Sequence, residues 1–378
     1  MILRILFVAS FPFPGPHGGP VYAAGLARSL ARRGHEVVFV TGPQGTGPAP
    51  EGVDLVRVPH LPGGSHAPGS GPHWSRLWTD AGLLTAVRRL VARRNIQIVH
   101  AHHAEATLVA RAAIGRGFPL VQSVHAALGD ELPQWYPGLR GAGRLGRTLD
   151  RLAARAADVN VAISPAGQRH LTAIGAKDVA LIPPGVDLMD VAGGDPTRAK
   201  KRWDLRGNVL VYTGNLDPYQ DVERLVRAAV GLDATLLVVT VDDIAPLERL
   251  ADAVGLDAAH RRFVRSGDFQ DAKDAIAAAD LFVVPRATCA GFPMKLLNAL
   301  GAGVPAIVAS TAGLDAPGSI EFDPADETSL PTVLRGLLAD PGRRRSLGDK
   351  AMWAIMDTGT WEARAEALEA VYARLLGR

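Results

Sequence analysis

Short apolar runs alternate with stretches of helical periodicity along almost the whole chain, and this alternation limits the fold more than any other feature. Ile2–Ala9 suits a buried strand, Val21–Arg33 a helix with Leu26 and Leu30 inward, and Glu36–Thr41 and Val53–Val58 two more strands. A helix from Ala81 to Arg94, strands at Ile96–His100 and Leu120–Val124, a helix Gly143–Ala157 and a strand Val159–Ile163 continue the pattern. Strands without a polar face, separated by helices, imply parallel sheets wrapped by helices on both sides. After Ile182-Pro-Pro-Gly-Val-Asp-Leu188 and the polar Ala192–Lys200, which read as a linker, the scheme repeats. Its strands are Val209–Thr213, Thr235–Thr240, Arg262–Arg265, Leu281–Pro285 and Ala306–Ala309, followed by helical segments around Leu330–Ala339 and Trp361–Leu376. The expected fold is therefore α/β, with two doubly wound Rossmann-like domains facing across a cleft at the C-terminal ends of their strands. A length of 378 residues suits two such domains, 1–188 and 189–360, with 361–378 as a closing helix.

Composition narrows the function. The chain is 47% hydrophobic and 21% charged, and no apolar run approaches the roughly 18–20 residues of a membrane span. The apolar start, Met1–Ser10, reads as a first strand and not as a signal peptide, since Pro12, Pro14 and Pro16 follow with no small-residue cleavage site. A single cysteine, Cys289, rules out an internal disulfide and fits a reducing cytoplasm; beside an apolar strand it reads as a small packing residue. The net charge of +3 is too mild to imply nucleic acid. Pro- and Gly-rich Gly42–Ser75 reads as a loop holding one weak strand.

The chemistry should lie where strands hand over to helices. After Leu281–Pro285 a glycine turn leads into a short helix, Met294 to about Leu300, which Gly301 and Gly303 end. A helix N-terminus reached in this way offers free N–H groups and a favourable dipole to an anion such as phosphate. Gly15-Pro-His-Gly-Gly-Pro20 makes a second turn of this kind, where Gly18 and Gly19 allow close backbone approach. Val99-His-Ala-His-His103 and Val121-Gln-Ser-Val-His125 each close a strand with histidine. His100 and His102 read as core or rim histidines. A zinc site from His100, His102 and His103 conflicts with strand alternation, which turns His103 to the opposite face. No Asp-x-Asp occurs, so metal-chelating transfer chemistry finds no support and no metal or cofactor is expected. In Gly143–Ala157, Arg144, Arg147, Arg151 and Arg155 share one helical face, with Leu145, Leu149 and Leu152 towards another. Such a stripe is either a solvated face or a contact for an anionic membrane.

Taken together these motifs resemble the family 4 glycosyltransferases, which have the GT-B fold. The run Ala290-Gly-Phe-Pro-Met-Lys-Leu-Leu-Asn-Ala-Leu-Gly-Ala-Gly-Val-Pro305 is similar to the family's nucleotide-sugar signature, in which two glutamates flank the donor. Here those positions are Ala290 and Asn298. Tyr212-Thr-Gly-Asn-Leu-Asp-Pro-Tyr-Gln-Asp221 matches the loop whose arginine and lysine clamp the donor diphosphate, but Asn215 and Gln220 stand in their places. The likeness extends through Gly34-His-Glu-Val-Val-Phe-Val40, Ala157-Asp-Val-Asn-Val-Ala-Ile-Ser164, Pro184-Gly-Val-Asp187, Ser266-Gly-Asp268 and Trp361…Tyr372.

The resemblance implies a retaining, metal-independent transferase that moves a sugar from a nucleotide-diphosphate donor to a glycan, lipid or small-molecule acceptor. It implies that the N-terminal domain takes the acceptor and the C-terminal domain the donor, and that the last helix crosses back to the N-terminal domain. His125 would orient the transferred sugar, with Gly18 and Gly19 bordering the phosphates. Gly214, Asn215, Gln220, Phe292, Pro293, Met294, Lys295, Leu296 and Asn298 would hold the donor, with Gly267 and Asp268 at its base. Asn215 and Gln220 keep hydrogen-bond donors. From its place in the first turn after Pro293, Lys295 reads either as charge that replaces the lost clamp or as a surface lysine whose ammonium reaches solvent. With four charged positions altered, the alternative is a non-catalytic relative that binds a glycan or nucleotide or serves as a partner subunit. An epimerase on the same fold would need the acids missing at Ala290 and Asn298.

Overall fold

The computed structural model describes residues 2–15, 17–45, 47–59, 76–136, 138–288, 292–314 and 316–377. Packing divides the chain into two units, Met1–Gly185 with Trp361–Arg378, and Val186–Cys289 with Pro293–Thr360. Phe292 groups with the first unit, and the boundary at Gly185 falls slightly before the 188 read from the sequence.

The first unit holds a seven-stranded sheet of β1 (Arg4–Ala9), β2 (Glu36–Thr41), β3 (Val53–Arg57), β4 (Ile98–His102), β5 (Leu120–Val124), β6 (Val159–Ala162) and β7 (Val179–Leu181). Their order is β3-β2-β1-β4-β5-β6-β7, every pair parallel. The second unit holds β8 (Asn208–Thr213), β9 (Ala234–Thr240), β10 (Arg261–Arg265), β11 (Leu281–Val284), β12 (Ala306–Ala309) and β13 (Ser319–Phe322), in the order β10-β9-β8-β11-β12-β13, again all parallel. Central strands such as β4, β5 and β9 are buried along their whole length, which is why they lack a polar alternation. In each sheet the order reverses once, between β1 and β4 and between β8 and β11, and side chains beyond the C-terminal ends of those strands have no neighbouring crossover above them.

The C-terminal helix Trp361–Leu375 completes the first unit. Trp361 lies against Gly25 of the helix Gly18–Arg32, where a Cβ would overlap the indole, so only glycine permits that approach. The Leu3 N–H donates to His35 Nδ1 at 3.0 Å, which leaves His35 Nε2–H to donate to Glu369 Oε1 at 2.8 Å. Arg33 adds a two-pronged pair to the same carboxylate at 2.6 and 2.7 Å, and Leu368 and Val371 fill the interface from within.

Several sequence expectations change. The first helix begins at Gly18 and not at Val21, so the glycine pair is its first turn. The strand expected at Ile96–His100 runs Ile98–His102, and the helices His103–Ile114 and Leu128–Trp135 and the strands β7 and β13 went unread because their runs are short. In the helix Ala142–Ala156, Leu145 and Leu152 face outward beside the exposed arginines. The inner face is made by Ala142, Gly146, Asp150, Ala153 and Ala154. Close packing against Leu128–Trp135 forces this choice: a Cβ at Gly146 would overlap the Leu128 carbonyl, and Asp150 accepts the N–H groups of Leu128 and Gly129 at 3.0 and 2.9 Å. No helix among the described residues is long and apolar enough to cross a membrane.

Candidate active site

In the first unit the reversal between β1 and β4 gathers histidines. His102 ends β4, and His125 follows β5 one residue on. Both are buried, and His102 Nδ1 lies 3.1 Å from His125 Nε2. Alternation along β4 would have turned His103 away, but the strand ends at His102 and His103 takes φ 77°, a left-handed conformation rare for a side-chain-bearing residue. Its ring stacks on His125 at 5.4 Å and 12°. His100 and His102, two apart on one face of β4, stack at 4.8 Å and 9°. The rings therefore lie face to face, and no group of three or more His, Cys, Asp or Glu among the described residues is arranged to hold a metal. His100 is bonded on both sides, to the Tyr372 hydroxyl at 2.6 Å and the Ser123 hydroxyl at 2.8 Å, so the C-terminal helix reaches directly beneath the site.

Burial sets the charge here. It pushes the His100 imidazole down to about 3, and holds His102 and His125 well below the usual histidine range, with neighbouring imidazoles adding to the effect. All three are neutral at neutral pH. A methyl group at Gly19 would lie 3.6 Å from His125 Nδ1, and one at Gly18 would meet nothing within 4 Å. The first turn of the helix, uncapped by the His17 side chain, thus presents its N–H groups beside the imidazole. His125 and Gly19, expected at the sugar and at the phosphates, therefore lie side by side.

In the second unit the reversal between β8 and β11 gathers Gly214, Asn215, Gln220 and Lys295. The Lys295 ammonium donates to the Tyr212 hydroxyl at 2.7 Å and to Gln220 Oε1 at 3.3 Å, and sits 4.1 Å from the centre of the Tyr212 ring. Gly214, at φ 127°, passes directly beneath; a Cβ there would lie 2.6 Å from Lys295 Nζ. Lys295 is the second residue of the helix Met294–Gly301, entered through Pro293 with no side-chain cap. The amides expected to donate to a ligand are otherwise engaged. Gln220 donates to Asn215 Oδ1 at 2.7 Å and to the Tyr219 hydroxyl at 3.1 Å, while Asn215 donates to Asp217. Asn215 and Gln220 thus brace the lysine.

The sequence reading missed two residues at this point. Tyr212 donates to the Asn215 carbonyl at 2.6 Å while accepting from Lys295, and burial holds its phenol far above the ordinary value. Arg286 follows β11, is buried, and its charge opposes that shift at Tyr212. The available signal was a charged residue placed directly after the apolar run Leu281–Pro285. Elsewhere, Asp268 caps the helix Phe269–Ala277 by accepting the Gln270 N–H at 2.8 Å, and Gly267 lies beside Val241. Asn298 lines a small recess with Val191, Phe269, Lys273 and Ile276. Leu296 is fully buried and serves the core. Ala290 and Cys289 lie outside the described residues.

Comparison with known proteins gives this geometry a lineage. The profile for Glycosyltransferase Family 4 matches residues 16–190, and that for Glycosyl transferases group 1 matches residues 195–366. The chain is 31% identical to a D-inositol 3-phosphate glycosyltransferase of Kineococcus radiotolerans, over 96% of this chain and 92% of that one. It is 27% identical to an MMP alpha-(1->4)-mannosyltransferase of Mycolicibacterium hassiacum, over 96% and 95%. Among solved structures, sucrose-phosphate synthase from Thermosynechococcus elongatus superposes with a TM-score of 0.79 at 20% identity, covering 99% of each chain, which identifies the two sheets as those of a GT-B fold. Two parallel sheets, a loop-to-helix site at each reversal and a relative at this identity lead to one conclusion: the chain belongs to glycosyltransferase family 4, and it is a glycosyltransferase.

Proposed function

We propose that the enzyme transfers a sugar from a nucleoside-diphosphate donor to a hydroxyl-bearing acceptor, with retention of configuration. The reading is carried by the placement of the Lys295 ammonium over Gly214, at the N-terminus of the helix Met294–Gly301. A cation in the first helical turn opposes the dipole, and a diphosphate bound there compensates it. As the bond from the anomeric carbon to the phosphate oxygen breaks and the acceptor oxygen takes its place, charge grows on the leaving diphosphate, and the released phosphate oxygen takes up the proton of the acceptor hydroxyl. Lys295, Arg286 and the first-turn N–H groups meet that charge, so no metal ion is required. Asn298 bonds the ribose, Gly267 and Asp268 border the base, and His125 orients the sugar beside Gly18 and Gly19. The relatives named for D-inositol 3-phosphate and for mannosyl transfer support a hydroxyl acceptor.

The enzyme works in the cytoplasm, at the inner face of the membrane. Arg144, Arg147, Arg151 and Arg155 are all exposed, with Leu145 and Leu152 exposed beside them, a combination suited to anionic headgroups. Calorimetry with UDP, GDP and ADP and their sugar conjugates tests the central reading. Binding of one nucleotide, strengthened or retained in its sugar conjugate, is expected; silence across the panel overturns the nucleotide donor.

A further inference from the structure

The bond between His102 and His125 leaves one nitrogen on each ring buried and without a hydrogen-bond partner among the described residues: His102 Nε2 and His125 Nδ1. Buried polar atoms of this kind are uncommon and ask for a reason. For His125 the reason lies in its surroundings. Nδ1 points at Gly19, in the uncapped first turn of a 15-residue helix, with open space at Gly18. For His102 no such space exists. Its ring is buried among rings, parallel to His100 at 4.8 Å and to Phe39 at 6.1 Å and 11°, with Phe7 at 5.0 Å.

Two neutral imidazoles joined by one hydrogen bond allow two arrangements. In one, His125 Nε2–H donates to His102 Nδ1; His125 Nδ1 is then a bare acceptor, and His102 Nε2–H is a donor trapped among aromatic rings. In the other, His102 Nδ1–H donates to His125 Nε2; His102 Nε2 is then a bare lone pair, and His125 Nδ1–H faces Gly19. Each arrangement leaves one unpartnered donor, and the two differ in where it lies. In the first it sits among the rings at His102 Nε2; in the second it is at His125 Nδ1, beside Gly19 and the open space at Gly18, where a ligand oxygen can meet it. This selects the second arrangement. It also makes the group at the helix start consistent, because the first-turn N–H groups and His125 Nδ1–H are then all donors converging on one acceptor oxygen.

We infer that His102 is a positioning residue that holds His125 in the Nδ1–H form, so that His125 donates a hydrogen bond to an oxygen of the bound sugar and does not serve as a base. The inference rests on the proposed placement of the sugar at His125. Its chemistry is recognition of a hydroxyl or ring oxygen, because the hydrogen bond at one ring nitrogen decides whether the other carries the proton.

The test is the protonation pattern itself. Nitrogen-15 NMR of histidine-labelled enzyme at neutral pH should show His125 protonated at Nδ1 and bare at Nε2, and His102 the same, with His125→Ala supplying the assignment. His102→Phe preserves the aromatic stack and removes the donor, so His125 should populate the Nε2–H form. His102→Asn, whose amide N–H can reach His125 Nε2, should restore Nδ1–H. Turnover of the nucleotide sugar found in the binding panel should fall about 10- to 100-fold in the Phe variant with its KM little changed, and recover in the Asn variant. Wild-type His125 found as the Nε2–H form overturns the inference even if the Phe variant fails to fold. Equal Nδ1–H populations in wild type and His102→Phe overturn it as well. If His125→Ala retains full turnover, the placement of the sugar fails, whatever the protonation pattern shows.

Discussion

The two sheet reversals are built alike and charged differently. At β1/β4 a glycine pair opens a helix beside a stack of buried, neutral imidazoles held by Tyr372, Ser123 and each other. At β8/β11 a glycine at φ 127° lies under an ammonium, with a buried guanidinium on the neighbouring strand's exit. Neutral donors suit the hydroxyls of a sugar, where a fixed charge would only have to be desolvated. Cations suit a diphosphate, whose own charge offsets that cost. On the proposed reading one topology supplies two sites, and the residues after the strands decide which chemistry each serves.

Acid should separate the two units most strongly. A histidine whose folded value lies below its unfolded value near 6.5 binds fewer protons folded than unfolded between those values. Its contribution is complete above about pH 6.5 and is lost as pH falls through that window, which for His100 extends down to about 3. With His102 and His125 shifted in the same direction by burial and by neighbouring imidazoles, the first unit should lose stability progressively as pH falls below about 6.5. The second unit carries His260 alone, at the surface. Hydrogen exchange between pH 7 and 4 should show 1–185 opening first. Simultaneous opening of both units would remove histidine burial as the cause.

Catalytic variants should divide in the same way. His125→Ala is expected to cut turnover by about 100-fold or more while donor affinity stays close to wild type. A variant with unchanged turnover would make the histidine purely structural. Lys295→Met should do the reverse, weakening nucleotide binding by about 1.5–3 kcal/mol, measured by calorimetry, with the fold retained. Undiminished affinity would remove the ammonium from the phosphate site.

Smaller effects test the edges of the comparison. The enzyme should be retained by vesicles containing anionic lipid at low salt and largely released at high salt, each arginine contributing about 1 kcal/mol. Reversing Arg147 and Arg151 to glutamate should abolish retention; equal behaviour of wild type and variant would leave the arginines as a solvated face. The smallest effect is expected from EDTA, which should leave turnover unchanged. Loss of activity restored by a divalent cation would show that Lys295 and Arg286 do not suffice for the leaving phosphate.

Much of the fold was legible because burial on both faces of a parallel strand writes itself into consecutive apolar residues, as in Leu281-Phe-Val-Val284 and Leu236-Leu-Val-Val239. Gly18 and Gly19, and the helix start after Pro293, were legible for a similarly local reason, since turns and helix starts demand particular residues. The orientation of the arginine helix was not. Leucine at helical spacing normally marks the inner face, but contact with Leu128–Trp135 is so close that only Gly146 and alanines fit, and the leucines are turned out. His103 escaped for another reason: strand alternation holds only while the strand lasts, and the chain turns at that residue.

By itself the sequence determined that parallel strands and helices alternate, in what order, and which loops carry glycine, histidine or lysine. Those properties depend on neighbours along the chain. Only the tertiary structure decided that Lys295 rests on Tyr212 and Gln220, 83 and 75 positions away, and that His102 meets His125 across 23. Such meetings follow from the order of strands in a sheet, and that order is set by long-range packing that no local pattern records.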